Sequence, residues 1–130
     1  MYAQKITMTR PSVDVSFLGS EAKVLQDAIF AQRVAHSAFI SSFFKLSEDG
    51  LVYTRVSLFT DKDGYWDWYH DSAATKVFYD FDNAMEKHMS ESGVSLEIAG
   101  ILDAEEELFT DFVKIDTSKT LTENVSSLSI

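Results

Sequence analysis

Residues 43–60 read FFKLSEDGLVYTRVSLFT, and this stretch decides the fold. Two runs of apolar and β-branched residues flank Ser47-Glu48-Asp49-Gly50, a cluster of turn formers that ends in glycine. The pattern predicts a β-hairpin closed by a four-residue connection, with a positive φ at Gly50. Centring the turn there sets Leu46 against Leu51, Phe44 against Tyr53, Ser42 against Arg55, Ile40 against Ser57 and Ala38 against Phe59. Side chains alternate along a strand, so these residues share one face. Phe39, Ser41, Phe43 and Lys45 share the other with Val52, Thr54, Val56 and Leu58. A sheet with one wet face is polar on that side. Here both faces are largely apolar, so both need covering: one by the chain's own helices, the second by another sheet or another subunit.

A chain of 130 residues, 45% of them hydrophobic, is long enough to bury a core as a single unit. Ten Phe, five Tyr and two Trp supply rings for a core, a pocket or an interface. A net charge of −10 argues against nucleic acid and anionic membranes, whose phosphates would repel it. The absence of cysteine excludes a disulfide framework, a zinc-thiolate site and a thiol nucleophile. The N-terminus MYAQKITMTRP lacks the apolar run of a signal peptide, and no stretch approaches the roughly 20 apolar residues of a membrane helix. These features predict a soluble cytoplasmic protein.

Outward from the hairpin, Gln4 to Arg10 alternate as a strand that Pro11 ends, and Val13, Val15 and Phe17 continue as a short extended segment. Ser20 reads as the N-cap of a helix ending near Gln32 or Arg33, with Val24, Leu25, Ala28, Ile29 and Ala31 at helical spacing. Thr60 or Asp61 caps a second helical region that breaks near Ser72. It resumes with Val77, Phe78, Phe81, Met85 and His88 or Met89 on its apolar side and stops at Gly93. Val94 to Leu102 form the last strand, with Gly100 marking a bulge or a close approach. LFTDFVKI, after the acidic run at residues 103–107, reads as a short helix or an added strand. The Ser/Thr-rich end carries Leu121, Val125, Leu128 and Ile130. Residues 1–102 thus form the domain, and residues 103–130 an acidic extension able to contact a partner subunit.

The element order β-α-β-β-α-β is that of an α+β, ferredoxin-like fold with a four-stranded antiparallel sheet. The hairpin LSEDGLVYTRVSLFTD, the aromatic helix start YWDWYHD and a helix ending in glycine before a strand resemble the dimeric α/β-barrel superfamily. Within it the chain is similar to antibiotic-biosynthesis-monooxygenase-type domains and to dimeric ferredoxin-like proteins from marine environmental sequence. The resemblance covers about residues 4–102. It implies a homodimer with two sheets packed face to face. Its members range over cofactor-free oxygenases, haem-handling enzymes and isomerases, so the fold alone does not select a reaction.

Few residues combine into a chemical motif. His36, His70 and His88 lack metal-motif spacing, and no metal site or cofactor is expected. Asp61-Lys62-Asp63-Gly64 opens like a calcium loop, but the sixth and twelfth positions hold Trp66 and Ser72 where glycine and glutamate belong. Tyr65, Trp66, Trp68 and Tyr69 cluster around Asp67 as core, dimer interface or pocket wall. Arg55 is the most informative residue, a guanidinium mid-strand among apolar neighbours. It needs an anion, supplied either by an internal ion pair, as to Glu97 or a partner's carboxylate, or by the acid group of a ligand.

Three functions fit. The first is a binding protein holding an apolar or amphiphilic molecule such as a fatty-acid-like carboxylate. Its site would comprise Arg55, Tyr53 and Ser42 at the head and Phe44, Ile40, Phe59, Trp66 and Trp68 around the tail. The second is a cofactor-independent oxygenase or isomerase, with Tyr53, His36, His70 or Asp67 as candidate bases. The third is a structural or interaction subunit without ligand.

Overall fold

The hairpin forms where its turn residues place it. In a computed structural model that describes residues 1–126, β2 (Phe39–Leu46) pairs antiparallel with β3 (Val52–Phe59), and Gly50 takes a φ of 76°. The register differs from the expected one by two positions. Leu46 lies opposite Tyr53, Phe44 opposite Arg55 and Ser42 opposite Ser57. The cause is Asp49, whose carboxylate accepts from the Leu51 backbone N–H at 3.0 Å and from the Ser47 hydroxyl at 2.6 Å, drawing Leu51 into the loop. A slip of two leaves every side chain on its expected face, because the strand period is itself two. Beyond Ser41 a bulge ends that protection. Phe39, not Ala38, opposes Phe59, and Ile40 turns outward to 39% exposure.

The sheet has five strands rather than four, in the order β4-β1-β3-β2-β5. β1 (Tyr2–Thr9) lies between β3 and β4 (Ser95–Ile101), antiparallel to both. The fifth strand, β5 (Val113–Lys114), comes from the extension and pairs with Phe43 and Phe44. Gly100 marks a close approach and no bulge, for the β1–β4 register is unbroken and the Tyr2 phenol covers the glycine. Residues 13–17 form no strand, although Phe17 is fully buried.

The helices α1 (Ser20–Ala35), α2 (Lys62–Ala73) and α3 (Lys76–Ser92) pack on the face that carries Met8, Phe44, Tyr53 and Phe59. Gly19, rather than Ser20, is the N-cap of α1 and makes no side-chain cap bond. The buried stripe of α1 is also not the expected one. Ala22, Gln26, Ile29, Phe30 and Arg33 face inward, while Val24 is 73% exposed. Asp61 caps α2 by accepting from Gly64 N at 2.7 Å, Thr75 caps α3, and Gly93 closes α3 in the left-handed region.

The opposite face of the sheet carries Ala3, Phe43, Val56 and Leu58, and the chain covers this part itself. Ala104 and Phe109 bury against those residues, with Phe43 and Phe109 stacked at 5.9 Å between ring centres. A 3₁₀ turn at Glu106–Phe109 presents Phe109, and Lys45 holds Asp111 at 2.6 Å. Here the cover expected of another subunit comes from residues 104–112 of the same chain. Leu121 and Val125, on and just after α4 (Leu121–Asn124), are buried in the helix-side core, and Asp27 accepts from Thr122 N at 2.9 Å. Leu128 and Ile130 lie outside the described residues. Among the described residues no helix is long and apolar enough to cross a membrane.

Candidate functional site

Strand alternation turns Gln4, Ile6 and Met8 of β1, Arg55 of β3 and Leu96 and Ile98 of β4 toward the helices. α1 meets them with Gln26, Ile29 and Arg33, α2 with Tyr65, Trp68 and Tyr69, and α3 with Phe78, Phe81, Met85 and Met89. Between these layers lies a cavity of about 400 Å³, in the range of small-ligand sites. Its walls are mostly apolar and aromatic. Asp82 and Glu86 line it too, and both side chains are exposed, which puts them at its open end.

Its buried end is cationic. Arg33 is 4% exposed and Arg55 8%, and among the described residues neither has a carboxylate within ion-pair distance. Burial raises the pKa of the Tyr53 phenol, and the charge of Arg55 beside it partly restores it. The Arg33 guanidinium lies 4.5 Å from the centre of the Trp68 ring, a cation–π contact. Burial first, then the charge of Arg55, pushes its pKa well below the usual guanidinium range, down to about 9, so it stays cationic at neutral pH. Three buried nitrogens of cavity residues have no hydrogen-bond partner: Arg33 Nε, Gln26 Nε2 and Trp68 Nε1. Buried donors are normally satisfied. Tyr65, by contrast, accepts from Gln4, and burial pushes its phenol up to about 12. Burial, with Glu86 beside it, also holds the Asp82 carboxyl above its ordinary range.

Of the eight residues expected to bind a ligand, only Arg55 and Trp68 line this cavity, joined by Tyr65 and Tyr69 of the aromatic cluster. Tyr53 packs against Phe17 in the helix-side core. Phe44 is core, and Phe59 lies behind Tyr65 and Trp68. Ser42 is occupied within the sheet, its hydroxyl donating to Val56 O at 2.8 Å with Ser57 Oγ at 3.1 Å. Ile40 and Trp66 are outward, Trp66 against His70. Glu97 is exposed on the far face of the sheet, opposite Thr7, so the internal ion pair with Arg55 does not form. None of the candidate bases Tyr53, His36, His70 and Asp67 reaches the cavity. His36 accepts from Ala38 N, and His88 donates to Ser16 O. No group of three or more His, Asp or Glu side chains among the described residues is placed to hold a metal. Arg33, Gln26, Gln4, Asp82 and Glu86 escaped sequence reasoning. For the first two the available signal was a shared helical stripe, Ala22, Gln26, Ile29, Arg33, with two polar members.

The architecture is α+β and ferredoxin-like with a fifth edge strand. Among solved structures the chain is similar to SnoaB, a cofactor-independent oxygenase from Streptomyces nogalater, at 12% identity and a TM-score of 0.51, over 80% of this chain and 93% of that one. It is similar also to a dimeric ferredoxin-like protein from an uncultured marine organism, at 10% identity and a TM-score of 0.50, over 81% and 97% of the two chains. At these identities the likeness is one of fold. No family model and no curated protein matches the sequence.

Proposed function

We propose that this chain is a binding protein whose helix-side cavity holds an amphiphilic small molecule, its acid group against Arg33 and Arg55 and its tail among the rings. One observation carries the reading: two buried guanidiniums line one cavity, and no carboxylate among the described residues neutralises either. An unpaired buried charge is costly, and an anionic ligand offsets that cost. Titrating octanoate into wild type and Arg55→Met tests it. Losing one charge-assisted contact should weaken binding about tenfold to a hundredfold. Equal affinities in the two proteins would defeat the reading.

The second reading is a cofactor-independent oxygenase or isomerase. Its support is the same cationic end, which would stabilise an enolate or phenolate, together with Asp82, a carboxyl whose raised pKa suits a proton acceptor nearer neutrality. Oxygen uptake with a quinol substrate, abolished in Arg55→Met, would favour it over simple binding. A homodimer belongs to either reading. Leu102 and Leu108 are exposed along the C-terminal segment, and a second copy seated there would bury them. Sedimentation showing only monomer at micromolar concentration would remove the dimer. With no ligand and no turnover, the chain is an interaction subunit.

A further inference from the structure

Resting on the binding reading, we propose that the ligand's head is a phosphoryl dianion clasped by Arg33 and Arg55 together, making the ligand a phosphate monoester of a small apolar alcohol. The first argument is charge. Both guanidiniums are buried in one cavity and repel each other. A monocarboxylate neutralises one and leaves the other uncompensated, whereas a phosphate monoester carries about −1.5 to −2 at neutral pH. The second argument is donors. Arg33 Nε, Gln26 Nε2 and Trp68 Nε1, all from cavity-lining residues, lack partners. A carboxylate offers two acceptor oxygens and a phosphoryl group three, the better match in number to three unsatisfied donors around one cavity.

The acidic surroundings oppose this, and their weight can be judged. Asp82 and Glu86 stand at the open end, where water and salt screen them, while the arginines act in a medium of low dielectric. The acids therefore slow the entry of a dianion more than they weaken its binding.

Calorimetric titration of the full chain at about pH 7.5, above the second phosphate pKa of about 6, decides the matter with octyl phosphate, octanoate and inorganic phosphate as probes. Octyl phosphate should bind about tenfold or more tightly than octanoate. Arg33→Met should cut that preference to about twofold, and Arg33→Lys, which supplies an ammonium without the planar fork or Nε, should retain only part of it. Equal binding of octyl phosphate and octanoate would overturn the dianionic head and leave the amphiphile standing. A preference undiminished in folded Arg33→Met would overturn the two-arginine clasp. Inorganic phosphate binding as tightly as octyl phosphate would support the head and overturn the tail. Silence from all three probes would overturn this inference and the binding reading together.

Discussion

Arg33→Met should make the ligand-free protein more stable. The substitution replaces a guanidinium that is almost wholly buried, has no carboxylate partner and leaves Nε without a hydrogen bond. An unmade buried hydrogen bond costs about 1–3 kcal/mol, and replacing buried charged groups by packed apolar ones has gained about 1–4 kcal/mol elsewhere. Against this, the cation–π contact with Trp68 at 4.5 Å is worth about 1–2 kcal/mol when desolvated. Methionine follows much of the arginine stem and adapts to irregular space. The balance is a gain of about 1–3 kcal/mol, or about 0.5–1.5 M in the urea midpoint at a slope near 2 kcal/mol/M. Alkaline pH gives a second reading of the same quantity. The folded pKa of Arg33, about 9, lies well below its ordinary range, so above about 9 the unfolded wild type binds more protons and wild-type stability rises with pH. Tyr65, pushed up to about 12, acts oppositely, and its stabilisation is lost as pH rises from its ordinary 10. Tyr65, with Arg55 and Tyr53 on β3, is present in both proteins. The difference between wild type and Arg33→Met therefore reports Arg33 together with its coupling to Tyr65 and Tyr53, and should narrow as pH climbs past about 9. Urea unfolding monitored by far-UV circular dichroism measures both effects. A loss of about 2 kcal/mol or more on substitution would show that Arg33 is a structural partner, and the argument for an anionic ligand would go with it.

Two further outcomes concern the frame around the cavity. Gly50→Val should destabilise by about 1 kcal/mol or more, because the position has a φ of 76° and an added Cβ would meet Val13 Cγ1 at 3.2 Å. An unchanged melting curve would contradict the turn assignment. Phe109→Ala should cost about 3 kcal/mol by uncovering Phe43, Val56 and Leu58. A urea midpoint that hardly moves would mean that this segment lies only loosely on the sheet.

How much could be read in advance follows from which forces are local. The hairpin was legible because Asp49 and Gly50 demand a turn, and the faces of β2 and β3 survived a misjudged register because a slip of two preserves parity. The slip itself depends on one carboxylate capturing one backbone N–H, a choice that residue types alone do not force. Phe109 is visibly apolar, yet its docking on Phe43 is a contact across 66 residues, beyond the reach of periodicity. The error on α1 has a different origin. Apolar pattern favoured the stripe through Val24, Ala28 and Ala31, and the protein instead buries Gln26 and Arg33. A stripe chosen for stability alone would not place a cation there, opposite a second cation on β3. Local rules fail most at positions retained for something other than stability. Here that failure falls on a residue of the cavity itself, beside unpartnered donors and within reach of the charge of Arg55. The misread helix face is thus a further argument that the free protein sustains this cost because an anion relieves it.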